Sequence, residues 1–180
     1  RQAAAGSTEQ THASSQKIFN LLYGYQQVPN DTEVLAFADS DVCVQHDWLT
    51  RLVRPLHRTK CGAATGYRWF VPIRNNLATL ALSAINGAVA QSLGNTPLNQ
   101  TWGGSMAIRM QDFRRLRIPE IWANTLSDDL SLSQAVKRAD MKVVFVPECL
   151  VASFEAMTWS RLLEFGRRQF LITRVYAPWT

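Results

Sequence analysis

Hydrophobic positions recur along the chain at two spacings, one helical and one continuous. From Ser15, a capping residue, Ile18, Leu21, Leu22 and Tyr25 fall on one helical face up to the Pro29-Asn30-Asp31 turn and predict a helix. Val34-Leu35-Ala36-Phe37-Ala38 is a short unbroken apolar run ending on Asp39, the pattern of a strand buried on both faces. Asp47 is placed to cap the next helix, whose Leu49, Leu52, Val53 and Leu56 share a face and whose end carries Pro55. Residues 63–71 read as a strand, 77–93 as a helix rich in Ala and Ser, and 105–110 as a strand. After Ser127-Asp128-Asp129, the positions Leu130, Leu132, Ala135, Val136 and Ala139 predict another helix, and Lys142-Val143-Val144-Phe145-Val146 a strand closed by Pro147-Glu148. The last segment, 158–176, sets Trp159, Leu162, Leu163, Phe165, Phe170, Leu171, Ile172 and Val175 among arginines and reads as one basic amphipathic helix. Residues 1–13 are small and polar without period and read as a loop. Helices alternating with short apolar strands predict an α/β sheet layered with helices.

Composition narrows this picture. The 180 residues are 47% hydrophobic and 18% charged, which excludes collagen-like, low-complexity and largely disordered classes. A net charge of +5 favours anionic partners, but aromatics are not interleaved with Lys and Arg as a nucleic-acid groove requires, so no nucleic-acid partner is expected. The three cysteines, Cys43, Cys61 and Cys149, have no metal-ligand spacing and suit a reducing, cytosolic environment. No charged residue or histidine occurs between Arg74 and Arg109, yet several amides interrupt that stretch. A buried or interfacial helix is therefore expected at 77–93 rather than a membrane span. The chain begins at Arg1 without an initiator Met and reads as a piece of a longer protein.

Phe37-Ala38-Asp39-Ser40-Asp41-Val42 carries two carboxylates just past a strand, where open α/β sheets bind ligands. Two hard oxygen donors on a tight turn suit Mg²⁺ or Mn²⁺, though an Asx-turn would use the same residues. Asp128-Asp129 stands at a helix start, where a carboxylate either caps the helix or takes a proton from an attacking hydroxyl. Between them, Thr101-Trp102-Gly103-Gly104-Ser105 combines a flat aromatic with two glycines that let backbone approach a ligand, or forms a plain turn. Arg167 and Arg168 are able to clamp a pyrophosphate or to rim a helix at anionic headgroups. Lys17 reads as solvated, and Trp48, Trp69 and Trp159 as core.

The ordered set of Lys17 helix, Asp39-x-Asp41, Gly-Gly-Ser, Asp128-Asp129 with Leu-Ser-Leu-Ser-Gln-Ala-Val-Lys-Arg and Val-Pro-Glu, then a basic aromatic helix, resembles the inverting GT-A glycosyltransferases of family 2. Within these it is most similar to the ceramide glucosyltransferase-like (family 21-like) branch, from about Ser15 to Tyr176. The resemblance implies a mixed, mostly parallel sheet flanked by helices, lacking the family's first nucleotide-binding βα unit. It implies a partial catalytic domain over 1–157, and over 158–180 an interfacial helix leading to membrane helices. Asp39 and Asp41 would engage a UDP-sugar and a divalent metal, with Asp41 the direct ligand, and Lys17 would approach the nucleotide. Asp129 would be the general base, while Trp102, Gly103, Gly104, Ser105 and Asp128 would line the sugar and acceptor side. The family's Q/R-x-x-R-W motif is not present as such: Gly166, Gln169 and Phe170 occupy its register, with Arg167 and Arg168 inside, on the acceptor side. The implied activity is transfer of a hexose to a ceramide-like or glycerolipid hydroxyl at the cytosolic face of a membrane. Competing expectations are a processive polysaccharide synthase of the cellulose or hyaluronan type, a haloacid-dehalogenase-like phosphohydrolase with Asp39 as nucleophile, and a non-catalytic binding module.

Overall fold

A computed structural model describes residues 15–177, so the loop expected at 1–13 lies outside the described residues. Four strands, β1 (Val34–Ala38), β2 (Cys61–Pro72), β3 (Ser105–Arg109) and β4 (Lys142–Glu155), form one mixed sheet in the order β1-β3-β2-β4. The long β2–β4 pairing is parallel, while β3 runs antiparallel to both of its neighbours.

Alternation along the strands feeds two separate cores. Ala63 and Ile108 point to one face, where they meet Ile18 of α1 (Gln16–Gln26), Phe113 of α4 (Met110–Arg115), Trp122 of α5 (Ile118–Trp122) and Leu132 and Val136 of α6 (Asp128–Arg138). Ala64 and Ala107 point to the other, under Leu52 of α2 (Trp48–Val53) and Leu56 of the 3-10 turn Arg54–His57. This period-two division is what a sheet covered by helices on both faces requires. A third cluster, of Phe70, Ala78, Leu82, Met157 and Leu162, joins the far end of β2 to α3 (Leu77–Ser92) and α7 (Trp159–Tyr176).

Several elements depart from the pattern expected of them. β1 is an edge strand of the described sheet, so only Leu35 is buried and Ala36 and Ala38 are exposed. β4 does not end at Pro147. Thr65 pairs with Phe145 and Tyr67 with Leu150, so Gly66 alone opposes residues 146–149 in a bulge, and a bulge tolerates a proline that has no N–H to give. A Cβ on Gly66 would stand 2.1 Å from the Cys149 carbonyl oxygen, which leaves room for glycine alone. Asp47 does not cap α2 with its side chain, which instead accepts from Arg51 at 2.6 Å. Trp69 and Trp159 are exposed rather than core, whereas Trp48 is half-buried, as Leu49 beside it faces solvent. Short α4 and α5 show no helical period in sequence, α4 because Arg114 and Arg115 follow its apolar positions and α5 because it is five residues long. They meet at Arg117, a left-handed residue with φ 55°.

Candidate active site

Ser15 caps α1 by accepting from the Ile18 N–H at 3.4 Å, and so fixes the first turn that carries Lys17. The Lys17 ammonium reaches Asp39 Oδ1 at 2.9 Å, just past β1, and Asp128 Oδ2 at 3.2 Å, at the start of α6. Residues far apart in the chain thus meet at one ammonium, which stays exposed as expected of a lysine there and yet pairs with two carboxylates.

Register does the rest. Ala38 pairs with Ser105, so the turn after β1 lies beside the loop that enters β3. A Cβ on Gly104 would stand 2.7 Å from Asp39 Oδ2, and one on Gly103 would stand 2.6 Å from Asp128 Oδ2 and 2.7 Å from Lys17 Nζ. Gly103 is therefore demanded by close approach to Asp128 and Lys17, and Gly104 first by the Trp102 ring, 2.2 Å from its would-be Cβ, and then by Asp39. The loop is pinned from three sides. Thr101 Oγ1 donates to the Asp129 carbonyl at 2.7 Å, its N–H donates to Ser133 Oγ at 2.7 Å, and the Trp102 N–H donates to buried Thr65 at 2.9 Å.

Asp128 and Asp129 are adjacent but differently placed. Asp128 is buried, its carbonyl accepts from Trp122 Nε1 at 2.9 Å, and its Oδ2 receives no well-aligned hydrogen bond, only the Lys17 charge. Burial, then the neighbouring Asp129 carboxylate, raise its pKa against the pull of Lys17. Burial also opposes the Lys17 charge, yet Asp128 and Asp39 together outweigh it and the lysine pKa is raised. Asp129 is half-buried: Oδ1 accepts from Ser127 Oγ at 2.6 Å and from the Leu130 N–H at 2.8 Å. Its Oδ2 accepts one bond, from the Gly103 N–H at 3.2 Å, and so keeps a lone pair for a proton. One oxygen caps α6 while the other faces the glycine loop.

Other expected site residues divide. Asp41 is exposed and makes no hydrogen bond or ion pair among the described residues. With Asp39 it offers carboxylate oxygens but no third acidic or histidine ligand, since no metal-sized group of three gathers among the described residues. That donor set fits an ion that keeps water and phosphate oxygens, as Mg²⁺ and Mn²⁺ do. Ser105 is fully buried and its hydroxyl accepts from Trp48 Nε1 at 2.9 Å, so it supports the loop and does not face a ligand. Asp128 likewise is buried at the floor of the cluster, beside Lys17, and does not face outward. Arg167, Gln169 and Phe170 make no contact with the carboxylates, and Phe170 is 67% exposed. Arg168 sits 5.8 Å from the Phe165 ring in an open groove of about 330 Å³ with Arg68, Phe70 and Glu155. Arg68 was not signalled by sequence: its guanidinium lies 5.6 Å from the Trp102 ring and 5.9 Å from Phe165, linking the glycine loop to α7.

The sequence matches glycosyl transferase family 21 over residues 2–178, and the chain belongs to that family. In shape it is similar to the crystal structure of a mycobacterial protein, with TM-score 0.50 and 15% identity over 90% of this chain. It spans 52% of that other chain, a likeness of fold alone. No curated protein matches the sequence significantly. The mixed sheet between helical layers is that of a GT-A-like glycosyltransferase domain.

Proposed function

We propose that this site moves a hexose from a UDP-sugar to the hydroxyl of a membrane lipid, ceramide-like or glycerolipid, with inversion at the anomeric carbon. The observation that carries the proposal is the convergence of Lys17, Asp39 and Asp129 on the Gly103-Gly104 loop. In the proposed step the acceptor O–H gives its proton to Asp129 Oδ2 while its oxygen forms the new bond to the anomeric carbon. The bond from that carbon to the diphosphate breaks, and UDP leaves with the electron pair. Ser127 and the Leu130 N–H hold the Asp129 carboxylate in one orientation, and Lys17 brings positive charge to the nucleotide side. Asp39 and Asp41 are the residues to hold Mg²⁺ or Mn²⁺, which would neutralise charge on the diphosphate. Trp102 gives the sugar and acceptor a flat face.

The lipid acceptor is inferred from α7. Its exposed Trp159, Leu163 and Phe170 stand beside Arg167 and Arg174, the composition of a helix lying at anionic headgroups on the cytosolic side. Among the described residues no helix is long and apolar enough to cross a membrane. Helix α7 is thus proposed as an interfacial helix behind the catalytic domain.

The test is UDP release by the full-length protein in membranes with UDP-glucose, ceramide or diacylglycerol, and Mn²⁺ or Mg²⁺. Metal-dependent release is expected in wild type and absent from Asp41→Ala and Asp129→Asn, with donor binding retained in Asp129→Asn. Hydrolysis of a generic phosphate ester without release from any UDP-sugar would overturn it in favour of the phosphohydrolase.

A further inference from the structure

Helix α3 is built inside out. Thr79, Ser83 and Asn86 turn inward, while Gln91 and Ser92 of the last turn are exposed. Asn86 accepts from the Phe70 N–H at 3.0 Å and donates to the Arg68 carbonyl at 3.2 Å, Ser83 donates to the Phe70 carbonyl at 2.6 Å, and Thr79 accepts from the Met157 N–H at 2.8 Å. The Asn86 and Ser83 bonds satisfy the part of the β2 edge that β3 leaves free, because β3 pairs only with residues 63–65, and the Thr79 bond ties the segment after β4 to the same helix. The opposite face, generated at 100° per residue, carries Leu77, Leu80, Ala84 and Ala88, with Ile85 and Val89 at its flank. Leu77 is 73% exposed and Ile85 56%. A helix facing water shows the reverse arrangement, and an uncharged apolar face of this length marks a contact surface.

Its neighbours say which contact. Leu162 and Phe165 of α7 pack against Ala78, Ala81 and Leu82 of α3, so the two helices lie side by side. Arginines 161, 167, 168 and 174 on α7 are all exposed, and Arg74 precedes α3. A second copy of the chain docked symmetrically here would bring these arginines against their own images. An anionic bilayer surface instead satisfies them while accepting the apolar face.

We propose that α3 is a second membrane-seating element beside α7, its Leu77, Leu80, Ile85 and Val89 lying at the acyl boundary of an anionic bilayer. This rests on the membrane reading of α7 given above. The seat has a consequence for the site: Asn86 holds the backbone of Arg68, whose guanidinium stacks near Trp102. One residue of β2 therefore separates the bilayer-facing helix from the acceptor side, where a lipid hydroxyl must arrive.

The test places a bimane label at Ile85→Cys, Leu163→Cys or Asn30→Cys in the full-length protein, on a Cys43→Ser background, in phosphatidylcholine–phosphatidylglycerol vesicles. Residues 85 and 163 are expected to be quenched by lipid-borne nitroxide and protected from aqueous iodide, and residue 30 the opposite. In parallel, Leu80→Glu/Ile85→Glu should raise KM for a vesicle-borne acceptor about tenfold and leave KM for a short-chain soluble acceptor unchanged. Lipid quenching at 163 with iodide quenching at 85 overturns the α3 seat and spares the α7 reading. Iodide quenching at both overturns the two together. Protection of residue 85 from both quenchers, with self-association lost in Leu80→Glu/Ile85→Glu, overturns the seat in favour of a second copy.

Discussion

Lys17 and Gly103 show how a single side chain, or its absence, sets the site. The ammonium bridges Asp39 and Asp128, and the space for that bridge exists only because position 103 has no Cβ. Gly103→Ala would drive a methyl against Asp128 Oδ2 and Lys17 Nζ and shift the N–H that Asp129 Oδ2 accepts. Misplacement of a base by about 1 Å costs on the order of 10²-fold, so UDP release should fall by about that factor. The measurement is kcat beside a thermal melt: unchanged kcat would show that the glycine loop is a plain turn and that Asp129 is only a cap. Part of the cluster's placement was legible. Asp39 at the end of a strand, the paired glycines before β3 and Asp129 at a helix start were readable from their positions, although an Asx-turn, a plain turn and a helix cap use the same residues. Lys17 was not, because nothing local in the first turn of α1 marks a lysine as bridging two carboxylates. Ser105 misled for a related reason: its hydroxyl answers Trp48, a partner that only the sheet register brings near.

At the scale of elements, the edge of β2 that β3 leaves free decides how α3 is built. Asn86 is 5% exposed and holds both a donor and an acceptor of that edge. Asn86→Ala leaves the Phe70 N–H and the Arg68 carbonyl without those partners in a dry interface and is expected to cost about 1–3 kcal/mol, read by urea unfolding. A loss below about 0.5 kcal/mol, the scale of ordinary surface substitutions, would mean that water already serves this edge. Helical periodicity located α3, but an amide in its middle looked like an interruption because the edge it satisfies belongs to another strand. The same blindness stopped β4 at Pro147, since a bulge opposite Gly66 is invisible until β2 and β4 are paired. Arg109, at the end of β3, was equally silent in sequence. It donates to the Cys61 carbonyl at 2.7 Å and to that of Leu56, and pairs with buried Asp112, tying β3 to the 3-10 turn and α4.

Across the whole molecule the cluster joins α1, the end of β1, the glycine loop and α6, so its protonation is linked to global folding. Asp128 keeps its proton to higher pH than an unfolded aspartate with its ordinary value of 3.8. In that window the native state binds more protons, so stability falls as pH rises from the unfolded value through the folded one. Lys17 acts at the other end: its folded pKa lies above 10.5, so its contribution is complete below that value and is lost as pH climbs through the folded one. Asp128→Asn removes the first effect outright. It also weakens the second, because the charge of Asp128 is the largest single pull that holds the lysine protonated, beside Asp39. The variant should therefore lack the acidic decline and lose less stability than wild type above pH 10.5. The difference between the two proteins is the quantity to measure, by urea midpoint at fixed salt across pH, since groups distant from the cluster cancel. Parallel profiles would show that Asp128 and Lys17 do not act on one another, and with that the bridge between the two ends of the chain would fail.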